Sequence, residues 1–422
     1  MNMLRLSWKN LVDKPLSSLL SVVLFALGVG LVSLIMLLNK QLDQQFARNL
    51  EGIDMVIGAK GSPLQLVLSS IYHLDAPTGN INIGEAKAFL RPGHPLIETA
   101  IPLSLGDSYQ NFRIVGTTPE IIEHYQANLA EGSLWEHPLE VVIGSRVAQQ
   151  EGLKTGDEFF STHGLNIDED LEHRDAGAFR VSGILAPSGA VIDQLILTAP
   201  ESIWMVHEHE AGAEETEDST AHHDEEHEHE HAAIPLYEQT DKDITAILVS
   251  FKARNAMTLN LPRNINENTN LMAANPSYEI SKLFDQLGLG EKVLRWLSYI
   301  IVGVSFLSIF ISLFNSLQDR RYELAIMRTL GASPGKLFRL IISEGLLLTL
   351  LGFGLGILLS HTGLELIGRF VKSADRYGFT GRTFLEEEAW LLLGALLVGL
   401  LAAVIPAWQA RQTDIHETLA EG

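Results

Sequence analysis

Four long stretches without a charged side chain constrain this chain more than any other feature. They are residues 16–39, 296–318, 345–364 and 389–410, each 20 to 24 residues long. About 20 apolar residues, rising roughly 1.5 Å apiece, cross a hydrocarbon core ~30 Å thick. Inside lipid the backbone must satisfy its own hydrogen bonds, so each stretch is expected to be a transmembrane helix. The competing reading is buried helices of a soluble protein, and four such lengths in one chain argue against it. The first stretch also competes with a secretory signal. At 24 residues it exceeds the apolar core of a signal, and no A-x-A-like cleavage site follows it. The expected fold is therefore a membrane protein: four transmembrane α-helices with a large α+β extracytoplasmic domain inserted between helices 1 and 2.

Charge is distributed to match. The formal net charge of −22 is concentrated in residues 40–292, which hold 16 Lys/Arg against 40 Asp/Glu. So acidic a domain lacks the basic face that nucleic acid requires. The chain has no cysteine, which excludes thiol nucleophiles, thiolate metal sites and disulfides. Basic residues set the orientation through the positive-inside rule. Arg5, Lys9 and Lys14 precede the first stretch, and Arg320, Arg321, Arg328, Lys336 and Arg339 lie between the second and third. Both segments are expected in the cytoplasm, together with both termini, and residues 40–292 outside.

These signals divide the chain into a leading amphipathic helix (1–15), TM1 (16–39), an outer α+β domain with stalk helices (40–292), TM2 (293–318), a cytoplasmic link (319–340), TM3 (341–364), an outer loop (365–388), TM4 (389–410) and a tail (411–422). In the outer domain, β-rich runs at 54–57, 112–115, 140–143, 179–185, 194–197 and 245–251 alternate with Gly- and Pro-marked turns. Helices are expected at 119–128 and 145–151. A stalk helix over 275–292 has Gly288 and Gly290 as its expected joint. In TM3, Gly352 and Gly356 share a face, as do Ala395 and Gly399 in TM4, which lets helices approach closely. His361 is the one titratable side chain within the four stretches and is expected at the interface, with Glu344 near the inner boundary. Transporters that carry ions through their spans keep ionisable residues there. The scarcity of such groups here points to packing and force-bearing helices.

Two segments carry the functional hypotheses. The first is the link. Leu324, Ile326, Met327 and Leu330 recur at helical spacing, Gly331 ends that helix in a left-handed conformation, and Ser333 and Pro334 start the next. Gly331-Ala-Ser-Pro-Gly-Lys336 falls one residue short of a phosphate-binding loop and has Leu337 where Ser or Thr belongs, so nucleotide binding is not expected. The second is the low-complexity tract 207–231, with seven His and eleven Asp/Glu. His207, His209, His222, His223, His227, His229 and His231 offer imidazole to Zn²⁺ at close spacing. Such a tract is expected to be mobile and to hold metal weakly.

The run Arg321-Tyr-Glu-Leu-Ala-Ile-Met-Arg-Thr-Leu-Gly-Ala-Ser333 resembles the signature of the FtsX-like or MacB-like permeases of ABC transporters. Ser7-Trp-Lys-Asn-Leu-Val-Asp-Lys-Pro-Leu-Ser-Ser-Leu-Leu20 is similar to that family's leading helix, and Ile405-Pro-Ala-Trp-Gln-Ala-Arg-Gln-Thr-Asp-Ile-His-Glu-Thr-Leu419 to its tail. The resemblance implies an unfused permease subunit of a bacterial inner membrane with a periplasmic MacB-like core domain. It also implies a homodimer or pseudo-dimer, and a separate ABC ATPase that holds ATP and Mg²⁺. Hydrolysis there would be relayed to the periplasmic domains by mechanotransmission, to export, extract or expel a periplasmic substrate. Residues transferred as ATPase contacts are Arg321, Glu323, Met327, Arg328, Gly331 and Ala332. The chain itself is not expected to be an enzyme. Its other expected partners are membrane lipid and a periplasmic adaptor or substrate protein, with no nucleic acid. Two alternatives stand beside this: a non-transporting regulator of a periplasmic partner, and a zinc-linked ABC system using the His-rich loop.

Overall fold

The computed structural model describes residues 3–163, 177–214, 235–370 and 379–412. In chain order the elements begin with α1 (Met3–Asp13), α2 (Pro15–Leu50), β1 (Met55–Ala59), α3 (Pro63–Ile71), β2 (Ile81–Asn82), α4 (Ile83–Leu90), β3 (Ile97–Tyr109) and β4 (Phe112–Thr117). Next come α5 (Glu120–His124), β5 (Leu129–Gly132), β6 (Glu140–Ile143), α6 (Ser145–Glu151), β7 (Glu158–Phe159), β8 (Thr162–His163), β9 (Phe179–Leu185), β10 (Leu195–Thr198) and α7 (Pro200–Glu214). The last are β11 (Asp243–Ile244), β12 (Ala246–Phe251), α8 (Ala256–Asn268), β13 (Leu271–Ala274), α9 (Pro276–Asp319), α10 (Arg321–Thr329), α11 (Pro334–Phe370) and α12 (Glu387–Gln412). Two compact units result: Gln45–Gln286, and Met1–Gln44 with Leu287–Gly422.

The first unit is built on an eleven-stranded sheet in the order β13-β1-β12-β3-β4-β10-β6-β9-β5, with β7 on β9 and β8 on β3. Pairing is antiparallel except for β10 with β4 and β6 with β9. Its central strands are buried on both sides, and their period of two sorts side chains between two cores. Val56, Val142, Leu195, Leu197 and Leu248 enter one core with α3 and α5, and Phe46, Leu50, Leu283 and Phe284 pack against it. Met55, Ile57, Ile247 and Val249 face the other side with α4 and α8, and Ile143, Ile196 and Phe179 do so with α6 and α7. Each buried aliphatic side chain contributes roughly 1.5–3 kcal/mol. A one-residue register slip would exchange the two cores, so the pattern fixes the pairing.

The second unit is a helical bundle. Among the described residues, four helices are long and apolar enough to cross a membrane: Pro15–Leu50, Lys292–Asp319, Pro334–Gly368 and Glu387–Gln412. Small residues set their approach. A Cβ on Gly356 would lie 2.8 Å from the Ala26 carbonyl oxygen, and one on Gly30 3.0 Å from that of Gly356, so α2 and α11 meet backbone to backbone. Against α9, α2 forms a serine seam, with Ser17 and Ser312 hydroxyls 3.0 Å apart and Ser21 and Ser308 3.1 Å apart.

Three expectations change. No break occurs at Gly288 or Gly290, because α9 runs without interruption from Pro276 to Asp319. The helix that Ser333 and Pro334 start is not separate from the third span but is the beginning of the 37-residue α11. The start of the His-rich tract is helical, since α7 extends to Glu214, and the tract beyond that lies outside the described residues.

Candidate functional site

The link between the second and third spans folds as α10, a single nine-residue helix set between two helix breaks. At the first break Arg320 leaves helical geometry, with φ −109° and ψ 18°. The second is a Schellman turn: the Ala332 amide donates to the Met327 carbonyl at 2.9 Å and the Gly331 amide to the Arg328 carbonyl at 3.0 Å. Gly331 takes the left-handed position the motif needs, at φ +94°. The sequence pattern anticipated this stop.

The orientation of α10 corrects the apolar stripe read from sequence. Ala325 is buried, Leu324 is buried in a core shared with Leu317, Leu337, Ile341 and Ala407, and Met327 is half-buried against that core. Ile326 and Leu330 point away. Leu330 is 82% exposed, Tyr322 50% and Ile326 37%. Spaced four residues apart, these three form an outward apolar ridge. Arg321 and Glu323 are exposed beside it, and Arg328 is half-buried. Of the six transferred contact residues, Arg321, Glu323 and Gly331 therefore reach the surface. Met327 instead serves packing, and Gly331 with Ala332 closes the cap. Tyr322, Ile326 and Leu330 were overlooked as a set, although their spacing is legible.

The metal ligands proposed from sequence do not assemble among the described residues, where no group of three or more His, Cys, Asp or Glu side chains is positioned for an ion. His207 lies on α7 with Nε2 3.3 Å from the buried Asp107 carboxylate of β3. The His209 side chain and His222, His223, His227, His229 and His231 lie outside the described residues.

The α+β unit also contains a cavity of about 730 Å³, lined among others by Leu74, Ser104, Arg113, Trp204, His207 and Thr245. The buried Arg113 guanidinium donates to the Asp75 carbonyl at 3.0 Å. Nearby in sequence, His73 has left-handed φ of 53° and is buried. Burial, and secondarily Arg113, lowers its pKa to about 3.

His361 is buried among protein side chains. Its Nε2 is 2.9 Å from the Glu388 carboxylate, its Nδ1 2.6 Å from the Gly381 carbonyl, and its ring stacks on Phe384. Ser33 of α2 donates to the same Glu388 oxygen at 3.0 Å.

The family model described as the FtsX-like permease C-terminal matches residues 296–415, and that of the MacB-like periplasmic core domain matches residues 18–230. The lipoprotein-releasing system transmembrane protein LolE of Haemophilus influenzae is 31% identical over 150 residues, 31% of this chain and 35% of that protein. LolC of Xylella fastidiosa is 25% identical over 155 residues, 33% of this chain and 38% of that protein. The matches thus span little more than a third of these relatives. Among solved structures, the periplasmic region of MacB from Actinobacillus actinomycetemcomitans aligns at 10% identity with a TM-score of 0.30, over 57% of this chain and 98% of that one.

Proposed function

The chain belongs to the FtsX-like, MacB-like family of ABC permeases, and from that membership we propose that it relays ATP hydrolysis on a separate subunit to its own α+β domain. In this reading ATP and Mg²⁺ reside on the ATPase. The link 319–340 and both termini face the cytoplasm, and a homodimer or pseudo-dimer of permeases acts on a periplasmic substrate. The observation that carries it is α10. A helix that seats Leu324 and Ala325 in the bundle while leaving Tyr322, Ile326 and Leu330 outward, flanked by Arg321 and Glu323, has a surface suited to an apolar and charged groove on a partner. The buried side supports force transfer, since a load on the ridge passes directly into the core at Leu317, Leu337 and Ile341.

The test is affinity purification of the tagged full chain in mild detergent from its own membrane, with mass spectrometry of the eluate. A Walker-type ATPase is expected with the native chain. Its recovery should fall at least ~tenfold with paired Ile326→Glu and Leu330→Glu, because anchors at the centre of an interface carry most of its binding energy. Both sites are exposed, so an unchanged elution profile in size-exclusion chromatography checks the fold. A folded chain that brings down no ATPase overturns the reading. The matched relatives are named for lipoprotein release, which makes lipoproteins the first cargo to seek in the same eluate.

A further inference from the structure

The leading helix α1 packs Leu6 and Leu11 against the bundle cores, and two polar side chains go inward with them. Its polar Ser7 and Asn10 are buried, whereas Trp8 and Val12 are 51% and 57% exposed. The buried side converges on α11. Ser7 Oγ is 2.7 Å from Ser343 Oγ, and Asn10 Nδ2 donates to Glu344 Oε1 at 2.5 Å. Glu344 is 1% exposed, and a buried carboxylate is costly without charged or hydrogen-bonding partners. Its second partner comes from another element. Arg320, the non-helical residue between α9 and α10, places Nη2 3.4 Å from the same oxygen and 2.8 Å from Ser316 Oγ in the last turn of α9. A parallel tie joins the other break, where Lys14, between α1 and α2, pairs with Asp319 at the end of α9.

We propose that Glu344 is a positioning residue that locks the α9–α10 hinge to α1. One carboxylate oxygen binds the amide of the leading helix and the guanidinium of the hinge, so α10 cannot tilt without carrying α1 and α11 with it. This deepens the relay reading and rests on it only for the source of the force. The polar inner side of α1 has its explanation here: Ser7 and Asn10 face inward because α1 is a working part of the relay.

The absence of cysteine makes a direct test clean. Lys9→Cys on α1 and Thr329→Cys on α10, both exposed, carry spin labels in the full chain in lipid nanodiscs, and pulsed electron resonance reads their separation. The native chain should give one narrow distribution. Glu344→Ala should lower the population at that distance by roughly tenfold or more, since removing one member of a buried charged pair strands the other. If Glu344→Ala does not fold, Glu344→Gln serves in its place. It keeps an acceptor for Asn10 and loses the charge facing Arg320, so the distribution should broaden. Joining Glu344→Gln with Asn10→Asp returns the missing carboxylate to the cluster, now on α1 beside the same Arg320, and should restore the narrow distribution, which general loosening of the bundle would not allow. An unchanged distribution in Glu344→Ala or, where that variant does not fold, in Glu344→Gln, or a swap that fails to restore it, overturns the proposal. The label distances need no ATPase, so failure of the lock and failure of the ABC reading give separate results.

Discussion

The two units differ in how completely they partner their buried polar side chains. In the bundle, Ser33, Ser305, Glu344, His361 and Glu388 are buried and each has a hydrogen-bond partner. In the α+β unit, Ser70 Oγ, His73 Nδ1, Ser104 Oγ, His124 Nε2 and Ser161 Oγ are buried without one, and among the described residues no such atom occurs in the bundle. The solvent accounts for the contrast. A polar group left alone in hydrocarbon has no water to recruit, and its cost is several kcal/mol. In an aqueous domain a nearby cavity or a small opening lowers that cost. Buried polarity in the bundle is therefore a statement about which helices are joined. In the α+β unit three of the unpartnered groups, His73, Ser104 and Ser70, lie on or close in sequence to β3 and α3.

Breaking a partnered site in the bundle should produce the largest effect. His361→Leu leaves the Glu388 carboxylate facing an apolar group, and a loss of about 3–5 kcal/mol is expected, read as a lower thermal midpoint of the purified protein in nanodiscs. A shift equivalent to less than ~1 kcal/mol would mean that the bundle tolerates this buried acid without its imidazole and would remove the contrast. Acid should find the weak point of the other unit. His73 is held neutral in the fold, with a pKa near 3 against 6.5 when unfolded, so the unfolded chain binds the extra proton throughout that window. Stability is full above 6.5 and is lost progressively as pH falls towards 3, about 2 kcal/mol of it by around pH 5. Chemical unfolding followed by tryptophan fluorescence should show this slope, and His73→Leu should flatten it. Gly331→Ala comes next. At φ +94° a methyl group is strained, and about 1 kcal/mol should be lost from the α10 cap, seen as faster amide exchange at 328–332. Smallest is Ser104→Ala, expected within about 0.5 kcal/mol of the native chain because the hydroxyl removed has no partner. A much larger loss would show that the cavity wall relies on it.

Much of the fold was legible because its strongest signals are compositional or periodic. Uncharged runs located the four spans, and alternation located β6 and β9 with their observed boundaries. The Gly331 stop was legible because one backbone conformation demands one residue type. What was hidden depended on partners distant in sequence. Leu324 and Leu330 belong equally to an apolar stripe on paper, and only Leu337, Ile341 and Ala407 decide which one turns inward. The contact of His361 was hidden because nothing near it in sequence announces Glu388, 27 positions away. Gly288 and Gly290 suggested a joint, yet each costs a helix only about 1 kcal/mol, which a 44-residue helix absorbs. The ridge at Tyr322, Ile326 and Leu330 was recoverable from the four-residue spacing, had the stripe been divided into two faces.

The inward polar side of α1 also bears on biogenesis. Ser7 and Asn10 find their partners 336 and 334 positions later, and translation adds only about 5–20 residues per second. The leading helix therefore waits on the order of 20–60 s for α11 to be made and inserted. Throughout that interval its serine and asparagine have only water or lipid headgroups to bind. Membrane insertion of the first span and completion of the bundle are thus separate events in the life of the nascent chain, and a ribosome stalled before residue 344 would hold a protein that is anchored but not yet assembled.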